Sequence, residues 1–266
     1  MARAKKNVNS EQRHPNRMSK GKRNKETVIA ERTAKKEYTG RVVDDKFDNK
    51  IATPVQAKNP TQKEFLSALK THQVIVFNAP AGCGKSFLTM CEVTDWYKKG
   101  LINKIMLSRP AVGMGNTIGL LKGGIEEKYS PLLLPLLDVI CSRYGTGFYQ
   151  NSLSKGSIEM LPLEYIRGRN VEDVAIVDEF QNCTPDEAYT MITRVAEGGK
   201  LILLGDPTQN DLRGENAMQW LPKFVEANPE LKDFIKVIEA TSDDIVRGGL
   251  CKLMVKAKEK SNVKGN

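Results

Sequence analysis

Histidine is scarce in this chain, and that scarcity closes one class of chemistry at the outset. His14 and His72 are the only two among 266 residues, so a Ser-His or Cys-His nucleophilic site has little to draw on. The cysteines are few, odd in number and scattered: Cys83, Cys91, Cys141, Cys183 and Cys251, with no Cys-x-x-Cys pair. That pattern speaks against both a metal cage and a disulfide framework, and free thiols point to a reducing, cytoplasmic compartment. No run approaches the ~20 apolar residues of a membrane helix. No apolar stretch follows the basic N-terminus, so neither a membrane partner nor a secretory signal is expected. Aromatics make up only 6% of the chain, and platforms for stacking bases are not obvious; Phe148 and Tyr149 are the candidates.

Charge is present but uneven. The net charge is +9, and residues 1–37 carry twelve Lys/Arg against four Glu, so nearly all of the excess sits there. Residues 1–50 hold few large apolar side chains. They cannot bury enough surface to offset ordering entropy, and a largely disordered basic arm is expected. Such an arm grips a nucleic-acid backbone without reading sequence, or it is a solvated tail. The globular part is expected from about residue 53 to 260.

The strongest local signal is Val74-Ile-Val-Phe-Asn-Ala-Pro-Ala-Gly-Cys-Gly-Lys-Ser86. Val74 to Asn78 reads as a buried strand, a Gly-rich turn follows, and a helix opens near Gly84 and runs to about Lys99. This is the layout of a phosphate-binding P-loop. Ala81, Gly82, Cys83, Gly84, Lys85, Ser86 and Phe87 are the candidate ATP contacts. Lys85 reaches the β- and γ-phosphates and the Ser86 hydroxyl holds Mg²⁺. Ala79 stands where the pattern has its first Gly, which requires φ < 0 there. Phe87, Met90 and Cys91 sit at helical spacing and read as core.

The second signal is the apolar run Val174 to Val177 ending in Asp178-Glu179. Asp178 fits a ligand of the Mg²⁺ shell, and Glu179 fits the base that activates water. Other assignments are weaker. Asn59-Pro60-Thr61-Gln62 precedes a helix over 63–70, and Gln62 either reads the adenine edge or simply enters the helix. Lys104 to Ser108 is a strand ending in Arg109, which meets phosphate or nucleic acid or is a surface charge. Residues 111–124 hold five glycines and read as a mobile loop. The stretch from Glu126 to Ile140, with Pro131 and Pro135, reads as a bent helix. Residues 145–157 read as polar turns, and Ile158 to Leu161 as a strand. A capping box at Thr184 opens a helix to about Ala196. Leu201 to Leu204 is a strand that leads to Gln209, placed to sense a γ-phosphate beside Glu179. Ile235 to Ile238 is a last strand, and a closing helix over 244–258 carries Arg247.

These blocks, in this order, resemble the PhoH-like family of P-loop ATPases, which is related to the ATP-binding half of superfamily 1 helicases. The residues that carry the resemblance are Ala79 to Ser86, Ser108-Arg109-Pro110-Ala111-Val112, Glu126-Glu127-Lys128, and Pro162 to Arg169. Asp178-Glu179-Phe180-Gln181-Asn182, Thr193-Arg194, Gly205-Asp206 with Gln209 and Asp211, and Ile245-Val246-Arg247 complete it. Departures are Ala79 for Gly, Cys83 for Thr, Leu120 to Gly124 in a Gly loop, and Gly248 where a His often stands. The resemblance implies a single RecA-like α/β domain, a mainly parallel sheet with helices on both faces. It implies ATP and Mg²⁺ as cofactors, and activity dependent on single-stranded nucleic acid, RNA favoured. One such lobe supplies half a site, so a homo-oligomer is expected, a hexameric ring favoured. A neighbour's arginine then acts in trans, with Arg247, Arg194, Arg167 and Arg169 as candidates. A nucleotide-switched RNA-binding scaffold with little hydrolysis and a small-molecule kinase are the other readings. Fifty residues are too few for the ribonuclease domain that some relatives carry at the N-terminus, so no nuclease activity is expected.

Overall fold

The computed structural model describes residues 51–110 and 125–261. The expected basic arm and the Gly-rich loop over 111–124 lie outside the described residues. Six short strands form one sheet: β1 (Val74–Asn78), β2 (Ile105–Ser108), β3 (Ile158–Met160), β4 (Val174–Val177), β5 (Lys200–Gly205) and β6 (Ile235–Glu239). Their order is β3-β2-β4-β5-β1-β6, and every pairing is parallel. The strands are near-continuous apolar runs because a parallel sheet is covered on both faces. Side chains alternate between two cores. Ile75 and Phe77 enter one with Ile105, Ile176 and Ile202. Val74 and Val76 enter the other with Ala175, Val177 and Leu203.

Helices α1 (Pro60–Thr71), α2 (Lys85–Lys98), α3 (Ile125–Tyr144) and α4 (Thr146–Ser154) pack on the first core. Helices α5 (Leu163–Arg167), α6 (Pro185–Ile192) and α7 (Ala217–Ala227) pack on the second. Helix α8 (Gly249–Ser261) closes the described chain. This is the single RecA-like α/β fold with helices on both faces. Local chemistry sets several boundaries. The Asn59 side chain accepts from Gln62 N–H at 2.8 Å and Pro60 occupies the first turn of α1, the arrangement that fixes a helix start. At α6, Thr184 and Glu187 form the expected capping box. Helix α3 runs through both Pro131 and Pro135.

Five expectations need correction. Residues 146–154 are helical, not turn-like. Burial of Tyr149 and Ser152, with the Ser152 and Ser154 hydroxyls donating back to the Phe148 and Gln150 carbonyls, outweighs the weak propensity of the segment. That burial also removes Tyr149 as a stacking platform, and Phe148 packs against Tyr97 and Tyr144. Helix α6 stops at Ile192 because the chain must turn to let Val195 bridge Val171, whose N–H donates to the Arg194 carbonyl at 2.8 Å. The closing helix begins at Gly249 and leaves Arg247 in the preceding segment, because Val246 and Arg247 both donate their N–H to the Gly82 carbonyl. Phe87 is 52% exposed and faces a cavity, while Met90 and Cys91 are core as expected. Between 210 and 234, where the sequence reading assigns no element, α7 is capped by a second box of Asn216 and Gln219.

Candidate functional site

The site is built where the carboxyl ends of β1, β2, β4 and β5 come together, the edge on which open α/β sheets bind ligands. From β1 the chain turns through residues 79–84 and enters α2 at Lys85. Gly82 and Gly84 have φ of +91° and +85°, a conformation in which a side chain is strained. A Cβ at Gly82 would also lie 3.0 Å from Arg247 Cβ and from Cys251 Sγ. Ala79 needs no such freedom: among the described residues the one non-glycine with positive φ is Glu179. The Ala79 N–H donates to the Gly205 carbonyl at 3.0 Å, so this departure from the family pattern is absorbed without strain. The N–H groups of Gly82, Gly84, Lys85 and Ser86 have no protein acceptor among the described residues. Unpaired donors at a helix N-terminus are a ready anion cradle. Lys85 Nζ donates to the Ala79 and Pro80 carbonyls. Burial pushes its pKa down, and the charge of Asp206 is the largest force in the other direction.

The acids sit opposite. Asp178 N–H donates to the Ser108 carbonyl at 2.9 Å, which ties the end of β4 to the end of β2. Asp178 is 6% exposed. Burial first, and then the neighbouring Glu179 charge, push its pKa up to about 6, against the pull of Arg109 and Lys85. Glu179 has φ 55° and ψ 39°. A left-handed glutamate costs about 1–3 kcal/mol and persists where the surroundings enforce it, most often at functional sites. Arg109 Nη2 lies 3.3 Å from Glu179 Oε1, and Gln181 Nε2 donates to Oε2.

Gln181, fully buried, is the hub between β4 and β5. It donates to the Gln209 carbonyl at 3.2 Å and accepts from Asp206 N–H at 3.0 Å. Gly205 is glycine for this reason: a Cβ there would lie 2.8 Å from Gln181 Oε1. Asp206 in turn accepts from Ala81 N–H at 3.1 Å and from Gln209 Nε2 at 2.7 Å, so β5 braces the P-loop directly. Sequence reasoning gives Asp206 and Gln181 no place in the site, although both stand in recognised blocks, and it leaves the role of Arg109 open.

An open cavity of about 800 Å³ gathers most of the expected residues. Ala81, Gly82, Gly84, Lys85, Ser86 and Phe87 line it, as do Asp178, Glu179, Gln209 and Arg247, together with Arg109 and Asp206. Two expected contacts do not open on it. Gln62 is buried, with its amide between Lys58 N–H at 2.7 Å and the Cys83 carbonyl at 2.9 Å, so it supports the P-loop. Cys83 is buried too, and burial pushes its thiol up to about 11. Of the four arginines, Arg247 lines its own chain's cavity. Arg167 pairs with Glu187 at 3.5 Å and Arg169 with Glu159 at 2.8 Å, and Arg194 is exposed. No cluster of three or more His, Cys, Asp or Glu able to hold a metal occurs among the described residues. Ser86 and Asp178 facing a phosphate cradle suit Mg²⁺, which binds through one or two protein oxygens, phosphate and water. No described helix is long and apolar enough to cross a membrane.

A family profile described as PhoH-like protein matches residues 54–259. A PhoH-like protein of Bacillus subtilis is 34% identical over 250 residues, which covers 90% of this chain and 76% of the relative. Protein PhoH of Escherichia coli K12 is 32% identical over 210 residues, covering 77% of this chain and 58% of the relative. The chain thus spans about three quarters of the first relative and less than six tenths of the second. Among solved structures, the large terminase of a thermophilic bacteriophage aligns with TM-score 0.47 at 14% identity, over 79% of this chain and 51% of that one. The chain belongs to the PhoH-like protein family.

Proposed function

We propose that the protein binds Mg·ATP in this cavity and hydrolyses it, coupled to single-stranded nucleic acid, RNA favoured, as a ring of identical subunits. The observation that carries the reading is that Lys85, Asp178 and Glu179 face one cavity from the carboxyl ends of β1 and β4, with β5 between them. The free N–H groups of Gly82, Gly84, Lys85 and Ser86 and the Lys85 amine hold the phosphates, and binding draws Lys85 off the Ala79 and Pro80 carbonyls. Asp178 and Ser86 would hold the Mg²⁺, which when bound would supply charge neutralisation at the phosphate oxygens. Glu179 orients the attacking water and takes its proton. Gln209, bonded to Asp206, reports the state of the γ-phosphate to β5, and Arg247 carries it to α8 through the Gly82 contact. We place the protein in the cytoplasm as part of the same proposal, a reading supported by five cysteines without a disulfide partner.

The ring draws on the openness of a one-lobe site and on α8. That helix leaves Leu250, Leu253 and Met254 exposed along one face, and it begins two residues after the cavity-lining Arg247. A second copy covering that face would border the nucleotide. The experiment is phosphate release by the full chain with no nucleic acid, with single-stranded RNA and with single-stranded DNA. The reading expects stimulation, larger with RNA, and loss of turnover with retained ATP binding in Glu179→Gln. Equal slow rates in all three conditions, with RNA binding that depends on ATP, would favour a nucleotide-switched scaffold. One observation supports that second reading: both Glu179 oxygens are engaged, by Arg109 and by Gln181.

A further inference from the structure

We infer that Arg109 is a positioning residue for Glu179, tying the base to helix α3. The inference rests on Glu179 being the base. The Arg109 guanidinium reaches in two directions. Its Nη2 lies 3.3 Å from Glu179 Oε1, and its Nη1 donates to the Leu132 carbonyl of α3 at 3.1 Å. The backbone of Arg109 is clasped by the same helix: the Tyr129 hydroxyl accepts from Arg109 N–H at 2.6 Å and donates to the Arg109 carbonyl. Tyr129 is itself 1% exposed, so the clasp is a packed one.

Orientation is what this pair supplies. A partly exposed ion pair adds little stability. Glu179, however, stands in a left-handed conformation as the N-cap of the short 3-10 turn Phe180–Asn182, and its side chain makes no capping hydrogen bond. Its carboxylate is aimed by two partners, Arg109 on Oε1 and Gln181 on Oε2. Misplacing a catalytic group by an ångström costs orders of magnitude in rate. Only a planar fork with several donors spans acceptors on two elements at once, which a lysine ammonium does poorly. Helix α3 also lines the cavity through Pro135, Asp138 and Val139. Whatever shifts α3 therefore shifts the base through Arg109.

The test is steady-state ATP hydrolysis by the full chain, with ATP binding measured alongside, for Arg109→Ala, Arg109→Lys, Glu179→Gln and the double variant Arg109→Ala/Glu179→Gln. Arg109→Ala is expected to lower kcat by about tenfold or more with KM for ATP within about twofold. In the Glu179→Gln background the same change is expected to alter the residual rate by less than about twofold, since no base is left to position. Arg109→Lys is expected to fold and to recover only part of kcat. An equal loss in both backgrounds would overturn the inference, because Arg109 would then act independently of Glu179. So would a raised KM at unchanged kcat, which marks a nucleotide contact, or full recovery by Arg109→Lys. Wild-type turnover in Glu179→Gln alone would instead remove the base assignment, and the single variant reads that separately.

Discussion

Burial works against charge at Asp178, and the conflict has a measurable consequence. Its pKa is pushed up to about 6 by burial and by Glu179. A carboxyl raised in the folded state favours folding while it is protonated. That contribution is complete below the unfolded value near pH 4 and is lost as pH rises through about 6. Metal-free Asp178→Asn should therefore unfold at higher temperature than the parent at pH 7, by on the order of 2 kcal/mol, with the gap closing toward pH 4. Thermal melts at the two pH values check it, and an unchanged or lower melting temperature at pH 7 would refute it. Gly205→Ala should destabilise by about 1–3 kcal/mol, because the new methyl meets Gln181 within 2.8 Å; denaturant titration measures this. The two kinds of residue differ in how visible they are in the sequence. Lys85 and Asp178-Glu179 are legible because each follows its own strand. The roles of Gln181, Asp206 and Arg109 arise only from neighbouring strand ends, and sheet order is not written in local spacing.

Element boundaries follow side-chain caps where those exist and tertiary contacts where they do not. Thr184→Ala removes the hydroxyl half of the box that opens α6 and should cost about 1 kcal/mol, read as a shift in denaturant midpoint with little change in slope. The α6 box and the α1 entry are legible because a cap is a local signal. The start of α8 is not, since the backbone of 246–247 is held by the Gly82 carbonyl, far earlier in the chain. Helix α4 is hidden for a related reason: its apolar content is low, and its stability comes from packing against α3 and β3. Phe87 looks like core by spacing, yet its place at the first turn of α2 turns it to the cavity.

At the scale of the whole molecule, a six-stranded parallel sheet gathers residues as far apart in the chain as Ala81 and Arg247 onto one edge. The sheet, with helices on both faces, is what alternating strand and helix signals imply, so the fold is largely legible from the sequence. Residues 1–37 hold twelve basic side chains. Removing 1–50 should weaken RNA binding similarly for all sequences and flatten its salt dependence; binding isotherms at two or more salt concentrations test this, and an unchanged slope would return the arm to a solvated tail. The most direct test of the central claim is a crystal structure of Glu179→Gln grown with Mg·ATP. The account predicts phosphates against the N–H groups of 82–86, Lys85 Nζ on the β- and γ-phosphates, and the metal between Ser86 and Asp178. A triphosphate bound away from Lys85, or a metal that leaves Asp178 unengaged, would contradict it.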